Sequence, residues 1–398
     1  MNIILVTFSP FGSNESHIRR LLLSMKGMSS ENKISVLCLS DTKEDPSIVN
    51  LYPDICFCQY PINYDGWKIL DMNAVVSFIE EFAISSSADL VVQTMEVWDL
   101  IRECSQVFYG KIPFATIFHA MPFLAAPLSP SGNFESDVIN YCVSGIEKYR
   151  VEYIQSHYME TRKILPMVAV ICANPTVTYY FNTYFPHINC HTFNEGMIIE
   201  NKIKDVSIEK HYDFVYMARM ERGKGVEYLS EILRYTSIKL GRKVSVAILG
   251  RTDDMFSSEI LSNLIKNRGD EFEIFYFGWA NNELKENILS KSRVFIYPSY
   301  YDTYAIVLAE ALGFGLPCIV WDLPFIEKNY NQIPNSIMRR IPSFDCESFA
   351  LAAINFLENN KVSQVLRIFT SEEELYQEDI LCYKKIVQDY GTFKSQRL

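Results

Sequence analysis

Hydrophobic and polar residues follow two alternating patterns along this chain. Short runs of β-branched and aromatic residues, typical of strands, are separated by longer stretches in which apolar residues recur at helical spacing. The strand candidates are IILVTF (3–8), KISVLCL (33–39), DICFC (54–58), DLVVQT (89–94), FATIFH (114–119), VAVICA (168–173), DFVYMA (213–218), VSVAILG (244–250), FEIFYFG (272–278), VFIYP (294–298) and CIVWD (318–322). This alternation predicts an α/β protein with parallel sheets and right-handed crossovers.

The number of strands predicts two doubly wound, Rossmann-like units. A chain of 398 residues is also too long for one ordinary core. We expect the first unit to span residues 1–200 and the second 201–374, with the boundary in NCHTFNEGMIIENKIKD. A final helix at about 375–398 is expected to pack back across the first unit.

Composition narrows the possible partners. A formal net charge of −11 argues against a general nucleic-acid binder or a binder of anionic membranes. No segment has the apolar length of a membrane span, and MNIILVTF lacks the basic start of a signal peptide. The ten cysteines contain no C-x-x-C pair, so we expect reduced cytosolic thiols and no bound metal.

One basic segment is open to two interpretations. In SNESHIRRLLLSMKG, the residues Arg19, Arg20 and Lys26 lie off the apolar face of a predicted helix. They are either a solvated face or a basic patch for a lipid phosphate or another anionic acceptor. The second interpretation would allow peripheral contact with a membrane.

The first turn of the second unit combines cations with glycines. In DFVYMARMERGKGVEYL, Arg219, Gly223, Lys224 and Gly225 lie where a strand gives way to a helix. Free backbone N–H groups and the positive end of a helix favour a phosphate there, and glycines allow close approach. The alternative is a solvated turn with two surface cations.

Two acids stand eight positions apart in the apolar stretch YPSYYDTYAIVLAEALGFGLPCIVWD. Asp302 or Thr303 is the expected N-cap of a helix, and capping alone would explain Asp302. Glu310 falls in the middle of that helix beside predicted buried strands, where a carboxylate is costly without a partner. A ribose diol is one such partner, and an internal Arg or a backbone donor is the other.

At these residues the sequence resembles the retaining GT-B glycosyltransferases of family 4. PSYYDTYAIVLAEALGFGLPCIV is similar to the family's E-x7-E segment, with Asp302 and Glu310 in the two acid positions. FGWANNELKENILSKSRVFIYPS and ARMERGKG resemble two further family motifs, in the family's order and spacing. The resemblance covers nearly all of residues 213–322.

The resemblance implies a nucleotide-sugar donor, UDP- or GDP-linked, and no divalent metal or other cofactor. It places Glu310 on the donor ribose, Asp302 beside the transferred sugar, and Arg219 and Lys224 at the departing diphosphate, where fixed cations stabilise growing charge. The residues assigned to the donor on this basis are Gly12, Arg219, Lys224, Gly278, Thr303, Tyr304, Ala305, Ile306 and Glu310.

The first half resembles the family more faintly. Gly12 lies in the loop after the opening strand, where the family usually has two glycines. FATIFHAM is similar to the strand that ends in the family's histidine, which implies a catalytic His119 at the interdomain cleft; a structural role at a strand end is the alternative. HTFNEGMI implies that Asn194 and Gly196 mark the linker.

Three departures from the family motif bear on activity. Asp302 replaces the commoner Glu, and Thr303 and Ala305 replace the two glycines of the E-G-F-G loop. The favoured interpretation is a cytoplasmic glycosyltransferase with an unusual donor and a carbohydrate, lipid-linked or protein acceptor. The alternative is a catalytically silent GT-B subunit or chaperone of another transferase.

Overall fold

The computed structural model describes residues 1–8, 32–40, 50, 52–65, 68–119, 133–134, 136–137, 156, 158–193, 209–220, 223–252, 255–266, 271–359 and 372–396. Contacts between residues divide the chain into two compact units. The first contains Met1–Leu124, Pro130–Glu195 and Thr370–Leu398, and the second contains Ala125–Ser129 and Gly196–Phe369. Most of the expected linker, with Asn194 and Gly196, lies outside the described residues. None of the described helices is long and apolar enough to cross a membrane.

The first unit is built on a parallel sheet. The strands of this unit are β1 (Asn2–Thr7), β2 (Lys33–Leu39), β3 (Ile55–Tyr60), β4 (Tyr64–Asp65), β5 (Lys68–Ile69), β6 (Leu90–Gln93), β7 (Phe114–Phe118), β8 (Ala169–Cys172) and β9 (Cys190–Thr192). Of these, β4 and β5 form a separate two-stranded antiparallel hairpin. The sheet order is β3-β2-β1-β6-β7-β8-β9, and β4 pairs only with β5. Helices α1 (Met72–Ser85), α2 (Trp98–Phe108) and α3 (Pro175–Tyr184) connect its strands.

The last described helix, Glu372–Gln396, belongs to this first unit. Ile380, Tyr383 and Ile386 are buried in the same apolar cluster as β1 and β2 residues. Burial of large apolar side chains is the main favourable term in folding. The helix is therefore part of the first unit's core, although it comes from the far end of the chain.

The second unit has a sheet with the order β12-β11-β10-β13-β14-β15. Its strands are β10 (Tyr212–Met217), β11 (Val244–Leu249), β12 (Phe272–Gly278), β13 (Ser292–Tyr297), β14 (Cys318–Trp321) and β15 (Met338–Ile341). Every pairing is parallel. The connecting helices are α4 (Leu229–Leu240), α5 (Met255–Lys266), α6 (Asn282–Ser290), α7 (Ile306–Gly313), α8 (Pro324–Tyr330) and α9 (Cys346–Asn359).

The central strands of the second sheet are buried on both faces. All four residues of β14, CIVW, are buried, and so are five of the six in β10. Continuous apolar runs of this kind are expected where helices cover both faces of a parallel sheet. The predicted fold class, two Rossmann-like α/β units, is confirmed.

Candidate active site

The candidate site lies where the strand order of the second sheet reverses. Neighbouring strands β10 and β13 connect to opposite sides of the sheet, because β11 follows β10 on one side and β14 follows β13 on the other. Loops at the carboxyl ends of two such strands leave a crevice between them, and ligands of open α/β sheets bind there. The loop after β10 carries Arg219 and Lys224, and the loop after β13 carries Asp302.

Two glycines bring these loops into contact. Gly223 and Gly225 have φ angles of +93° and +77°, a region that favours glycine. A Cβ on Gly225 would lie 1.9 Å from the Pro298 carbonyl oxygen, and one on Gly223 would lie 2.7 Å from Tyr301 Cβ. The sequence predicted that glycines allow a phosphate to approach; in the structure they allow one loop to approach the other.

Lys224 and Asp302 form an ion pair between the two loops. The Lys224 Nζ atom donates to Asp302 Oδ2 at 2.9 Å and to the Tyr301 carbonyl oxygen at 3.0 Å. The side chains are 11% and 16% exposed. The pair is thus largely shielded from water, and in such an environment charge–charge attraction is stronger than at the surface.

Asp302 has further partners on both carboxylate oxygens. The backbone N–H groups of Thr303, Tyr304 and Ala305 donate to Oδ1 at 2.8, 3.2 and 3.0 Å. The Tyr297 hydroxyl donates to Oδ2 at 2.6 Å. Burial alone would raise the pKa of Asp302, but the Lys224 charge and these hydrogen bonds together hold it below its ordinary value.

The helix after this turn begins later than predicted. Asp302 or Thr303 was the expected N-cap, but α7 begins at Ile306, and its N-cap is Ala305 with φ +58°. The prediction is wrong because Asp302 binds three successive N–H groups and fixes a turn before the helix. Ala305 therefore occupies a left-handed conformation that costs an alanine about 1–2 kcal/mol. This is the position where the family has glycine.

Glu310 pairs with a cation from a neighbouring helix. The Lys285 Nζ atom, on α6, donates to Glu310 Oε1 at 2.5 Å. Side-chain exposure is 19% for Lys285 and 33% for Glu310, so the carboxylate is less buried than the sequence indicated. An internal cation does satisfy Glu310, and that cation is a lysine rather than the Arg considered from the sequence.

The other residues assigned to the donor have varied environments in this unit. Arg219 is exposed two residues after the end of β10, and Gly278 ends β12 with φ +62°. The Thr303 carbonyl accepts from the Asn329 side chain at 2.7 Å, Tyr304 is buried, and Ile306 is exposed at the first position of α7. Their roles toward a donor stay predictions.

His119 lies in the first unit, directly after β7. Its backbone N–H donates to the Glu96 carboxylate. Its ring atom Nε2 lies 2.9 Å from the Thr94 carbonyl oxygen, to which it donates in the tautomer protonated there. These contacts orient the imidazole, and its catalytic role stays a prediction. Gly12 and the basic segment around Arg19 lie outside the described residues.

The sequence did not indicate two residues of this site, Lys285 and Tyr297. Lys285 reads as a solvated position of an amphipathic helix, and nothing links it to Glu310 until α6 and α7 are placed side by side. Tyr297 ends an apolar strand and reads as core. A buried Tyr hydroxyl usually has a hydrogen-bond partner, and this rule was the one indication in the sequence that Tyr297 would bind a polar group.

Solved structures share this architecture over the whole chain. A sucrose-phosphate synthase from Thermosynechococcus elongatus has a TM-score of 0.65 at 15% identity, covering 100% of this chain and 98% of that one. HepE of Anabaena, solved with UDP and glucose, has a TM-score of 0.59 at 10% identity, covering 100% of both chains. The fold is GT-B, the two-unit fold of these glycosyltransferases, as the sequence predicted.

A family model matches part of the chain, mostly in the second unit. Residues 172–367, just under half of the chain, match the model of the family glycosyl transferases group 1. An uncharacterized glycosyltransferase of Methanocaldococcus jannaschii is 24% identical over 137 residues, which are 33% of this chain and 34% of that protein. The chain thus spans about a third of the length of this curated relative. The match agrees with the class predicted from the sequence, a glycosyltransferase.

Proposed function

We propose that this protein transfers a sugar, with retention of anomeric configuration, from a nucleotide-sugar donor to an acceptor. The observation that carries the proposal is the Lys224–Asp302 pair at the switch point of the second sheet, inside the matched domain. Ligands of open α/β sheets bind at that point. Retention rests on the family resemblance alone.

Residues of the two loops and of α7 bind different parts of the donor. Arg219 and Lys224 face the diphosphate and stabilise its growing negative charge as the glycosidic bond breaks. Glu310, held by Lys285, accepts hydrogen bonds from the ribose hydroxyls. Because cations of the chain serve the diphosphate, transfer needs no divalent metal. The family resemblance also implies a catalytic role for His119.

The donor is a UDP- or GDP-sugar, and the acceptor is a carbohydrate, free or carried on a lipid or protein. The presence of UDP and glucose in the HepE neighbour supports this choice of donor. The protein works in the cytoplasm, where nucleotide sugars and reduced thiols coexist. Peripheral contact with a membrane would follow from a lipid-linked acceptor.

The test is a screen of nucleotide sugars for donor hydrolysis and transfer, with and without excess chelator. We expect one base and one sugar to be consumed, at a rate that the chelator leaves unchanged. Loss of activity that magnesium or manganese restores would contradict the metal-independent mechanism. Failure of every donor would contradict the transfer activity.

A silent GT-B subunit is the second candidate, and one observation favours it. Ala305 is held in a left-handed conformation and Thr303 precedes it, so side chains stand where the family has two glycines. They narrow the space beside the helix end where a donor sugar would lie. In this case a nucleoside diphosphate should bind, while no nucleotide sugar is hydrolysed or transferred.

A further inference from the structure

The carboxylate of Asp302 is fully engaged by protein donors. Three backbone N–H groups donate to Oδ1, while Lys224 and Tyr297 donate to Oδ2. A carboxylate offers about four lone-pair positions, so these five donors saturate it. A sugar hydroxyl could bind Asp302 only by displacing one of them.

Hydrogen bonds fix both the backbone and the ammonium group of Lys224, but they do not use all of its ammonium donors. Its carbonyl oxygen accepts a hydrogen bond from the buried Tyr216 hydroxyl at 2.9 Å, which fixes the backbone. Two of the three ammonium donors serve Asp302 and the Tyr301 carbonyl. Among the described residues, this leaves one N–H of Lys224 for a phosphate oxygen.

We propose that Asp302 is a positioning residue, which fixes the Lys224 ammonium for the donor diphosphate and does not contact the transferred sugar. Tyr297 is the second member of this arrangement. Its side chain is almost wholly buried, so it reaches a ligand only through Asp302 and Lys224. The inference rests on the proposed function, because it assumes that Lys224 serves a diphosphate.

The test uses two substitutions that preserve the charge of the site. Asp302→Glu adds one methylene, which shifts the carboxylate relative to the N–H groups of residues 303–305 and to the Lys224 ammonium. Tyr297→Phe removes one buried hydroxyl that donates to Asp302. The readout is the dissociation constant of UDP and of GDP, measured by titration calorimetry on the full chain.

Tyr330→Phe is the matched control. Tyr330 is also wholly buried, and its hydroxyl donates to the Ala305 carbonyl oxygen at 3.0 Å, in the same turn as Asp302. Removing either hydroxyl should lower the melting temperature by a similar amount. Of these two hydroxyls, that of Tyr297 donates to Asp302 and that of Tyr330 donates to Ala305, so we expect the nucleotide affinity to change in Tyr297→Phe and not in Tyr330→Phe.

We expect the affinity to fall roughly tenfold in Asp302→Glu, which displaces the carboxylate that holds Lys224, and roughly fivefold in Tyr297→Phe, which removes one hydrogen bond to that carboxylate. Tyr330→Phe should change it less than about twofold, since its bond bypasses Lys224. Adding Tyr297→Phe to the Asp302→Glu variant should cause no further loss of nucleotide affinity, because the Tyr297 hydroxyl acts on Lys224 through Asp302.

Two results would overturn the inference alone. In one, the wild type binds nucleotide and both charge-preserving variants bind it equally well. In the other, Tyr330→Phe weakens binding as much as Tyr297→Phe does. If Asp302→Glu does not fold, the two phenylalanine variants decide. A wild type that binds neither UDP nor GDP overturns the proposed function, and the inference with it.

Discussion

Removal of the Lys285 charge should destabilise the second unit by more than a surface ion pair would. In Lys285→Met the aliphatic stem is retained, while Glu310 loses the ammonium that donates to it at 2.5 Å. Exposed pairs contribute about 0.2–1 kcal/mol, and breaking a buried pair costs about 3–5 kcal/mol. With side chains 19% and 33% exposed, this pair falls between those limits, so we expect a loss of about 1–2 kcal/mol.

Lys111→Met is the control for this measurement. The Lys111–Glu80 pair has a similar distance, 2.6 Å, but its side chains are 58% and 27% exposed. Its loss should cost under about 1 kcal/mol. Both variants can be followed by denaturant unfolding, with spectroscopic probes that separate the two units because two-domain unfolding is not two-state.

A double-mutant cycle isolates the pair. Lys285→Met, Glu310→Gln and the double variant should give a coupling energy of about 1 kcal/mol, since each single change removes the same contact. Lys285→Met should also weaken UDP or GDP binding, because Glu310 loses the group that orients it. A coupling energy near zero, or a loss no larger than that of Lys111→Met, would refute this account of Glu310.

Three further predictions concern the loops beside β10 and β13. Gly225→Ala should lower the free energy of unfolding by about 3 kcal/mol or more, since it combines positive-φ strain with a Cβ 1.9 Å from the Pro298 oxygen. The control Gly241→Ala, with φ +64° and open space around the Cβ, should lower it by about 1 kcal/mol. Equal losses in denaturant unfolding would contradict the loop contact. Arg219→Ala should lower turnover roughly 100-fold without loss of stability, and near-normal turnover in the donor assay would contradict its place at the diphosphate. The lowered pKa of Asp302 stabilises the fold above its unfolded pKa of ~3.9 and stops doing so as pH falls through the folded value. The stability gap between wild type and Asp302→Asn should therefore close in acid, and a gap independent of pH would contradict that sign.

The sequence predicted the fold because burial on both faces leaves a plain signal. Runs such as VSVAIL and CIVW have no polar alternation, and each is a central strand of the parallel sheet. The short edge strands Cys190–Thr192 and Met338–Ile341 were missed. One has three residues with a histidine in the middle, and the other has two arginines among four, so neither shows a hydrophobic period.

The candidate site was predictable in its residues but not in its contacts. Lys224, Asp302 and Glu310 could be singled out because charges beside glycines or inside apolar helices need a reason. Their pairings depend on which loops and helices become neighbours, and Lys285 lies 25 positions from Glu310. The late start of α7 depends on Asp302 binding three N–H groups at once, which a one-residue capping rule does not foresee.

Nucleoside diphosphate binding tests the central claim most directly. Titration calorimetry should show that the wild type binds UDP or GDP, and a ligand at one hundred times its dissociation constant should stabilise the fold by ~2.7 kcal/mol. Glu310→Gln, which keeps size and packing, should largely abolish both the heat of binding and the rise in melting temperature. No binding of UDP, GDP, ADP or TDP by the wild type at millimolar concentration would contradict a nucleotide-sugar site in the second unit.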